Sequence, residues 1–378
     1  MHSKPKNYHF RRFVLFVVSL IVISLIYFSI RYPYIYHAIK STYLSGTTGP
    51  DIYDLNISPY ATIESGEAAP MPTKLWSVDT NAFTHFNNSS RDLETVALLV
   101  ALQDTLIYES YANGHDMDKV SNSFSMAKTV VSFLIGIAVE EGKIKSLDEP
   151  ISNYLKDLKG DYGNKVTIRH LLQMASGSSW KESSKGIFSS NAAAYYGKNL
   201  NRFTLETSFN RVPGEVYQYQ SGNTQFLAII LEQVYGKSIS ELTQLKIWSP
   251  MEMSSTAYWS KDRADGNEKA YCCLYATARD FLKLGTLFLH EGKYESLSIV
   301  PQWYMQEMIT SKASNIASSQ NPNQLYGLHV WTLARKEDPL IFFRGILGQY
   351  IIISPKNQWI AVRLGHKRAD SFDAKELK

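Results

Sequence analysis

The sequence predicts an α/β domain, with an antiparallel sheet flanked by helices and a mainly helical insertion, behind one N-terminal transmembrane helix. Three observations lead there. Strand-forming segments occur at both ends of the folded part, helical periodicity dominates from about Ser146 to Tyr271, and residues 13 to 30, FVLFVVSLIVISLIYFSI, carry no charge. Strands far apart in sequence must pair to bury their apolar faces, which leaves the intervening helices to cover the sheet or form a lobe beside it.

The uncharged stretch is just long enough to cross a bilayer. Lys4, Lys6, Arg11 and Arg12 precede it, and only Arg31 and Lys40 follow closely. The positive-inside rule then places residues 1–12 in the cytoplasm and the rest outside, as a single-pass protein of the cytoplasmic (inner) membrane. A cleaved signal peptide needs a shorter apolar core and a small-x-small site; IRYPYIYHAIK offers neither, so an uncleaved anchor over 13–30 is expected. Residues 31–74, with Gly46, Gly49, Pro50, Pro59, Gly66, Pro70 and Pro72, read as a spacer to a folded domain over 75–378.

The first folded element is a β-hairpin: VALLVALQ from Val96, a turn at Asp104, then TLIYESYA. A helix follows, with Val130, Val131, Phe133, Leu134, Ile137 and Val139 around most of its circumference, the mark of a buried helix. Within the insertion, about 146–271, Thr167 caps IRHLLQMA, and Thr224 enters QFLAIILEQVYG before a stop at Gly236. Thr277 starts ARDFLKLGTLFLHEG. LIFFRGILGQYIIISP and QWIAVRLG form two strands around a turn at Pro355-Lys356-Asn357. No internal repeat or low-complexity tract appears.

Composition narrows the function. With 378 residues and 44% apolar content, the chain can bury a large core or two closely packed subdomains. Its formal charge of +4 comes entirely from the four basic residues before the apolar stretch, so nothing points to nucleic acid. The two cysteines, Cys272 and Cys273, are adjacent. Neighbouring Cα atoms lie about 3.8 Å apart, below the usual disulfide span, so two free thiols are expected. Asn56, Asn87 and Asn88 match the N-glycosylation pattern, which surface loops rich in Asn and Ser explain as well.

The chemistry centres on Ser125-Met126-Ala127-Lys128. On a helix, positions i and i+3 share a face, so the lysine amine reaches the serine oxygen without help from a loop. Free backbone N–H groups of the helix start lie nearby. A lysine entering an apolar helix loses solvation, which lowers its pKa and lets it act as a base near neutrality. A serine cap beside a snorkelling lysine is the alternative. The same spacing occurs at Ser3, in a basic tail, and at Ser178, in a Gly/Ser loop; only Ser125 opens an apolar helix. Tyr219, just before a predicted helix, is a third candidate, as a phenol of lowered pKa exchanging protons with the serine or the leaving group.

Three segments, SMAK at Ser125, YQSGN at Tyr219 and GILGQY at Gly345, occur in the order found in serine β-lactamases and penicillin-binding proteins. The chain resembles their class C β-lactamase-like branch of esterases, D-aminopeptidases and nylon-oligomer hydrolases. TIRHLLQMASG from Thr167 and ATARDFLKLG from Ala276 are placed similarly, and the resemblance spans roughly residues 75 to 368. It implies a β-lactamase/transpeptidase-like fold with Ser125 as acylated nucleophile, Lys128 as base or proton store and Tyr219 as general acid/base. The backbone N–H groups of Ser125 and Gln349 would form the oxyanion hole. Whether Lys128 or Tyr219 takes the first proton stays open, because coupled groups share their titration.

Two departures from that pattern bear on substrate. Relatives often carry Tyr-x-Asn where this chain has Tyr219-Gln220-Ser221, so Ser221, or Asn223 nearby, would contact substrate. The third motif often begins with Lys or His, which helps hold a substrate carboxylate such as that of a β-lactam; the matching residue here is Ile346, which favours ester or amide substrates, although Arg344 could approach the same face. Gly348 completes that motif, and Trp331 in YGLHVW is core or pocket wall, offering substrate an apolar contact.

Other site classes find little support. No GxSxG elbow, HExxH or paired CxxC is present, so neither an α/β-hydrolase nor a zinc site is indicated, and no metal or cofactor is expected. Gly236-Lys237-Ser238 reads as a helix stop and a new cap, and His170 as a structural histidine. The expected function is serine hydrolysis of small-molecule or peptide substrates: small esters, amides or cell-wall-derived peptides. A D,D-peptidase acting on peptidoglycan and a non-hydrolytic membrane receptor are the alternatives.

Overall fold

The structure is a computed structural model that describes residues 7–47, 49–76, 92–183, 186–312, 315–316 and 325–368. The chain begins with α1 (Asn7–Arg31), α2 (Tyr34–Ser41) and a short strand β1 (Tyr60–Ile63). The hairpin follows, β2 (Thr95–Leu102) and β3 (Thr105–Tyr111), then β4 (Ser121–Asn122) and the apolar helix α3 (Ala127–Glu140). Its turn places Gln103 and Asp104 at φ 47 and 56, the left-handed pair whose twist matches a two-residue hairpin.

Further along lie α4 (Ile168–Leu172), α5 (Ser190–Tyr196), α6 (Ser221–Tyr235), β5 (Ala257–Ser260), β6 (Leu274–Ala276) and α7 (Ala278–Leu289). The chain closes with β7 (Trp331–Leu333), β8 (Leu340–Gly345), β9 (Gln349–Ser354) and β10 (Trp359–Gly365). Six strands form one antiparallel sheet in the order β7-β8-β9-β10-β2-β3. The join between chain ends is β10 against β2, with Ile360 opposite Ala101 and Val362 opposite Leu99. All four of those side chains are buried, so the pairing puts the sheet's apolar residues in the core.

Helices α3 and α7 cover this sheet. Phe133 of α3 and Phe288 of α7 meet Phe343 of β8 with ring centroids 6.0 and 5.9 Å apart. Gly285 lets α7 lie close, since a Cβ there would stand 2.9 Å from Ile360 Cγ2. A second sheet, ordered β1-β5-β6-β4, brings the segment before α3 alongside residues 274–276.

Local signals in the sequence correspond to caps in the structure. Thr167 accepts the His170 N–H while the His170 ring accepts the Thr167 N–H, a capping box that gives this histidine a structural role. Ser238 forms a capping box with Glu241, Thr277 caps its helix by accepting the Asp280 N–H, and Gly236 ends α6 at φ 62. Thr224 lies inside α6 rather than at its entrance.

Three expectations change. LIFFRGILGQYIIISP forms two strands rather than one, because Leu347 (φ 60) and Gly348 (φ 84) reverse the chain between β8 and β9. The insertion is helical only in part, with long irregular stretches between its helices. Residues 31–74 do more than space: α2 packs on α5, β1 pairs with β5, and Ile52 and Ile63 are fully buried. Gly and Pro marked turns there correctly, but the apolar residues between them have partners only in distant segments.

Candidate active site

Ser125 lies in a single 3-10 turn, Phe124–Met126, that feeds α3. Asn122 shapes the turn: its Oδ1 accepts the Phe124 N–H at 2.8 Å and its Nδ2 donates to the Tyr275 hydroxyl at 3.0 Å. The Ser123 N–H donates to Leu274 O at 2.8 Å. Gly345 allows the end of β8 to approach, since a Cβ there would stand 2.4 Å from Ser123 O. The two sheets therefore meet at the serine.

Lys128, one turn on, is 1% exposed. Its Nζ donates to Ser125 Oγ at 3.0 Å and to Tyr271 O at 2.7 Å. Burial lowers its pKa from 10.5 to about 8, against a smaller upward pull from the Glu182 carboxylate. A neutral amine at this position can take the serine proton, which a fully solvated lysine could do only at much higher pH.

The Tyr219 side chain is hydrogen-bonded to that of Ser125. Its ring stacks on Trp331, with centroids 5.9 Å apart, and Lys128 Nζ lies 5.1 Å from its centroid. The expected lowering of its pKa is not found. Burial, and then the Glu182 charge, push the phenol well up, with Ser125 and Arg344 acting weakly the other way. A phenol of that kind holds its proton and is suited to donate it to a leaving group.

The remaining candidates divide. Trp331, Ile346 and Ser221 line a cavity of about 390 Å³ together with Ser125 and Tyr219. The Ser221 hydroxyl and backbone N–H are both taken by Glu182, at 2.9 and 2.7 Å. Asn223 is fully buried, accepts Ser176 Oγ at 2.7 Å and does not line the cavity, so it does not stand in for the missing motif amide. Gly348 and Gln349 do not line it either. Gly348 is packed on Arg363, whose Nη1 donates to its carbonyl at 2.6 Å. The Gln349 side chain is bound to Gly365 on β10. Arg344 does face the cavity, with its guanidinium 5.2 Å from the Trp331 ring centroid.

Two contributors carried no sequence signal. Glu182 also accepts the Trp180 indole N–H at 3.1 Å and the Asn191 amide at 2.8 Å, four bonds drawn from three segments of the chain. The second is the Cys272–Cys273 pair, joined by a disulfide and not present as free thiols. The fold fixes the turn that brings the two together: Cys273 takes φ 68, Trp259 Nε1 donates to Cys272 O at 2.7 Å, and the Ser260 N–H donates to Cys273 O at 3.0 Å. Cys272 lines the cavity beside Tyr271, whose carbonyl holds Lys128. Among the described residues no group of three or more His, Cys, Asp or Glu is placed to hold a metal ion. Ser178 binds the Trp180 N–H as a turn residue, and Ser3, Asn87 and Asn88 lie outside the described residues.

A serine hydroxyl shared by a buried amine and a phenol, at the meeting of an antiparallel sheet and a buried helix, defines a serine hydrolase of the SxxK type. The family model for Beta-lactamase matches residues 80–378, and the chain belongs to that family. It is 21% identical over 285 residues to the 6-aminohexanoate-dimer hydrolase of Paenarthrobacter ureafaciens, covering 71% of this chain and 72% of that one. A Bacillus anthracis structure provisionally described as a 6-aminohexanoate-dimer hydrolase superposes with a TM-score of 0.74 at 23% identity, over 85% of this chain and 88% of that one. A D-stereospecific amidohydrolase from Streptomyces gives a TM-score of 0.60 at 16% identity, over 77% and 95%. At those identities the structural likeness carries the fold alone.

Proposed function

We propose that the protein hydrolyses small esters, amides or cell-wall-derived peptides through an acyl-enzyme on Ser125. The observation that carries this reading is Lys128 Nζ, buried, 3.0 Å from Ser125 Oγ and with its pKa lowered to about 8. In the reaction the neutral Lys128 takes the serine proton as Oγ attacks the carbonyl. Tyr219 gives its proton to the departing alkoxide or amine and recovers one as water attacks the acyl-enzyme, and Lys128 returns its proton to Ser125 Oγ as the acyl group leaves. The Ser125 N–H is one oxyanion donor. The Gln349 N–H, at the start of β9, is the second. Ile346 carries no cation where relatives often have one, which favours ester and amide substrates, although Arg344 lines the same cavity.

The N-terminal helix supports anchoring: between its basic ends the span Phe10–Arg31 is apolar, long enough to cross a bilayer and unburied by the protein. The preceding basic residues favour a catalytic body outside the cytoplasmic membrane. The test of function is steady-state release of p-nitrophenol from p-nitrophenyl esters, together with labelling by a fluorophosphonate probe. Both should vanish in Ser125→Ala; labelling that survives the substitution defeats the nucleophile assignment. One stoichiometric burst without turnover would instead indicate a ligand-binding receptor.

A further inference from the structure

We infer that the segment following the apolar helix, through Ala38, Tyr43 and Pro50, forms the acyl-chain wall of the active site, and that the substrate is an amphiphilic ester or amide whose apolar chain lies against those residues. The inference rests on the hydrolase reading above and adds the substrate class.

The segment is built into the catalytic body. Tyr34 and Ala38 of α2 are buried in an apolar cluster with Tyr196 of α5. The Tyr34 hydroxyl donates to Ile187 O at 3.0 Å, and the Tyr32 and Phe188 rings meet edge-on at 5.1 Å. Thr42 then binds Ala38 O through its backbone and its hydroxyl, and Gly46 turns the chain at φ 79. From there the chain runs directly to the nucleophile: Ile52 O accepts the Asn122 N–H at 2.8 Å, and Asn122 is the residue that shapes the Ser125 turn.

Ala38, Tyr43 and Pro50 line the same cavity as Ser125 and Tyr219. Its volume of about 390 Å³ suits a small-molecule ligand. Tyr195 and Tyr196 continue this wall beside α2, while Trp331 and Ile346 line the cavity together with the polar Glu182, Asn191 and Arg344. An apolar chain of the substrate is the part such walls recognise, while the reacting carbonyl stays at Ser125. Helix α2 is eight residues long, about 12 Å at 1.5 Å per residue, so this wall stands close to the end of the apolar helix. Tyr36 (76% exposed), Leu44 (76%) and Phe188 (57%) add apolar surface in the same region. A molecule with one apolar chain and a polar head, held at a bilayer surface, fits both the wall and its position.

The test uses the full chain in nanodiscs and compares kcat/KM for p-nitrophenyl octanoate and acetate. The wild-type ratio should favour octanoate by about tenfold or more, the scale of chain-length discrimination in a hydrophobic pocket. Ala38→Trp, which fills the wall, should lower that ratio about tenfold. Tyr43→Ala, at an exposed residue, should lower it as well and serves if Ala38→Trp does not fold. A wild-type ratio below one, or a ratio unchanged in both variants, overturns the inference. No turnover of either ester by the wild type would instead defeat the hydrolase reading on which it stands.

Discussion

Glu182 accepts both the backbone N–H and the hydroxyl of Ser221, at 2.7 and 2.9 Å, across 39 residues of sequence. The residue two after Tyr219 is thus held by an acid, and the same carboxylate sets part of the electrostatic field at Lys128 and Tyr219. A positioning role for Glu182 has a signature distinct from simple loss of structure. Removing its charge withdraws the one upward pull on the Lys128 pKa, so the amine becomes neutral at lower pH. Glu182→Gln should therefore move the acid limb of the kcat/KM profile to lower pH. It should also cost about 1–3 kcal/mol of stability, because an amide turns one of four acceptor contacts into a donor facing a donor. A limb that stays in place would separate Glu182 from the catalytic electrostatics.

In the proposed mechanism Lys128 sets the pH dependence. With its pKa lowered from 10.5 to about 8, the neutral amine grows as pH rises and is in the majority above 8. The kcat/KM profile should climb tenfold per pH unit and level off near 8. Lys128→Arg keeps a cation that cannot give up its proton in this range and should lose about 10²- to 10⁴-fold in turnover. A flat profile from pH 6 to 9 would rule out this amine as the base.

For Tyr219, the raised pKa predicts a proton donor that stays protonated throughout the working range. Tyr219→Phe keeps the ring against Trp331 and removes only the hydroxyl, so thermal stability should change little. Turnover should fall about 10²- to 10⁴-fold, with the larger loss on substrates whose leaving group is poor. Equal rates on amides for the variant and the wild type would assign protonation to another group.

Glu232 offers a stability prediction outside the site. Burial first, then Glu268, raise its pKa from 4.5 to about 7. Because the folded value lies above the unfolded one, its contribution to stability is fully present below about pH 4.5 and is lost as pH rises through 7. Glu232→Gln should raise the melting temperature at pH 8, with a gain of up to about 3 kcal/mol, and change it little at pH 5. Thermal melts at the two pH values, read by circular dichroism, decide it; an equal shift at both would remove the titration from the account.

What the sequence made legible is local in physical origin. Ser125 and Lys128 share a face of one helix, so their distance follows from helical geometry. The Thr167 and Thr277 caps, the Gly236 stop and the turn at Asp104 each depend on residues within a few positions. The order of the three motifs carried the family, and the family model spans the same region of the chain. Glu182 was not legible: an acid in a polar Gly/Ser stretch has no periodicity or spacing, and its partners are fixed only when three segments converge.

By itself, then, the sequence determined the Ser125–Lys128 contact, the strands at the chain ends and the long apolar N-terminal helix, because hydrogen-bond geometry and side-chain polarity act over one turn or one strand. The tertiary structure decided what depends on burial and distant contact. It placed the carbonyl of Tyr271 on Lys128 across 143 residues, raised the Tyr219 phenol where a lowered one was expected, and joined Cys272 to Cys273. It also brought Ala38, Tyr43 and Pro50 to the cavity that Ser125 lines. Desolvation is a property of the whole packed surroundings, and no short stretch of sequence contains it.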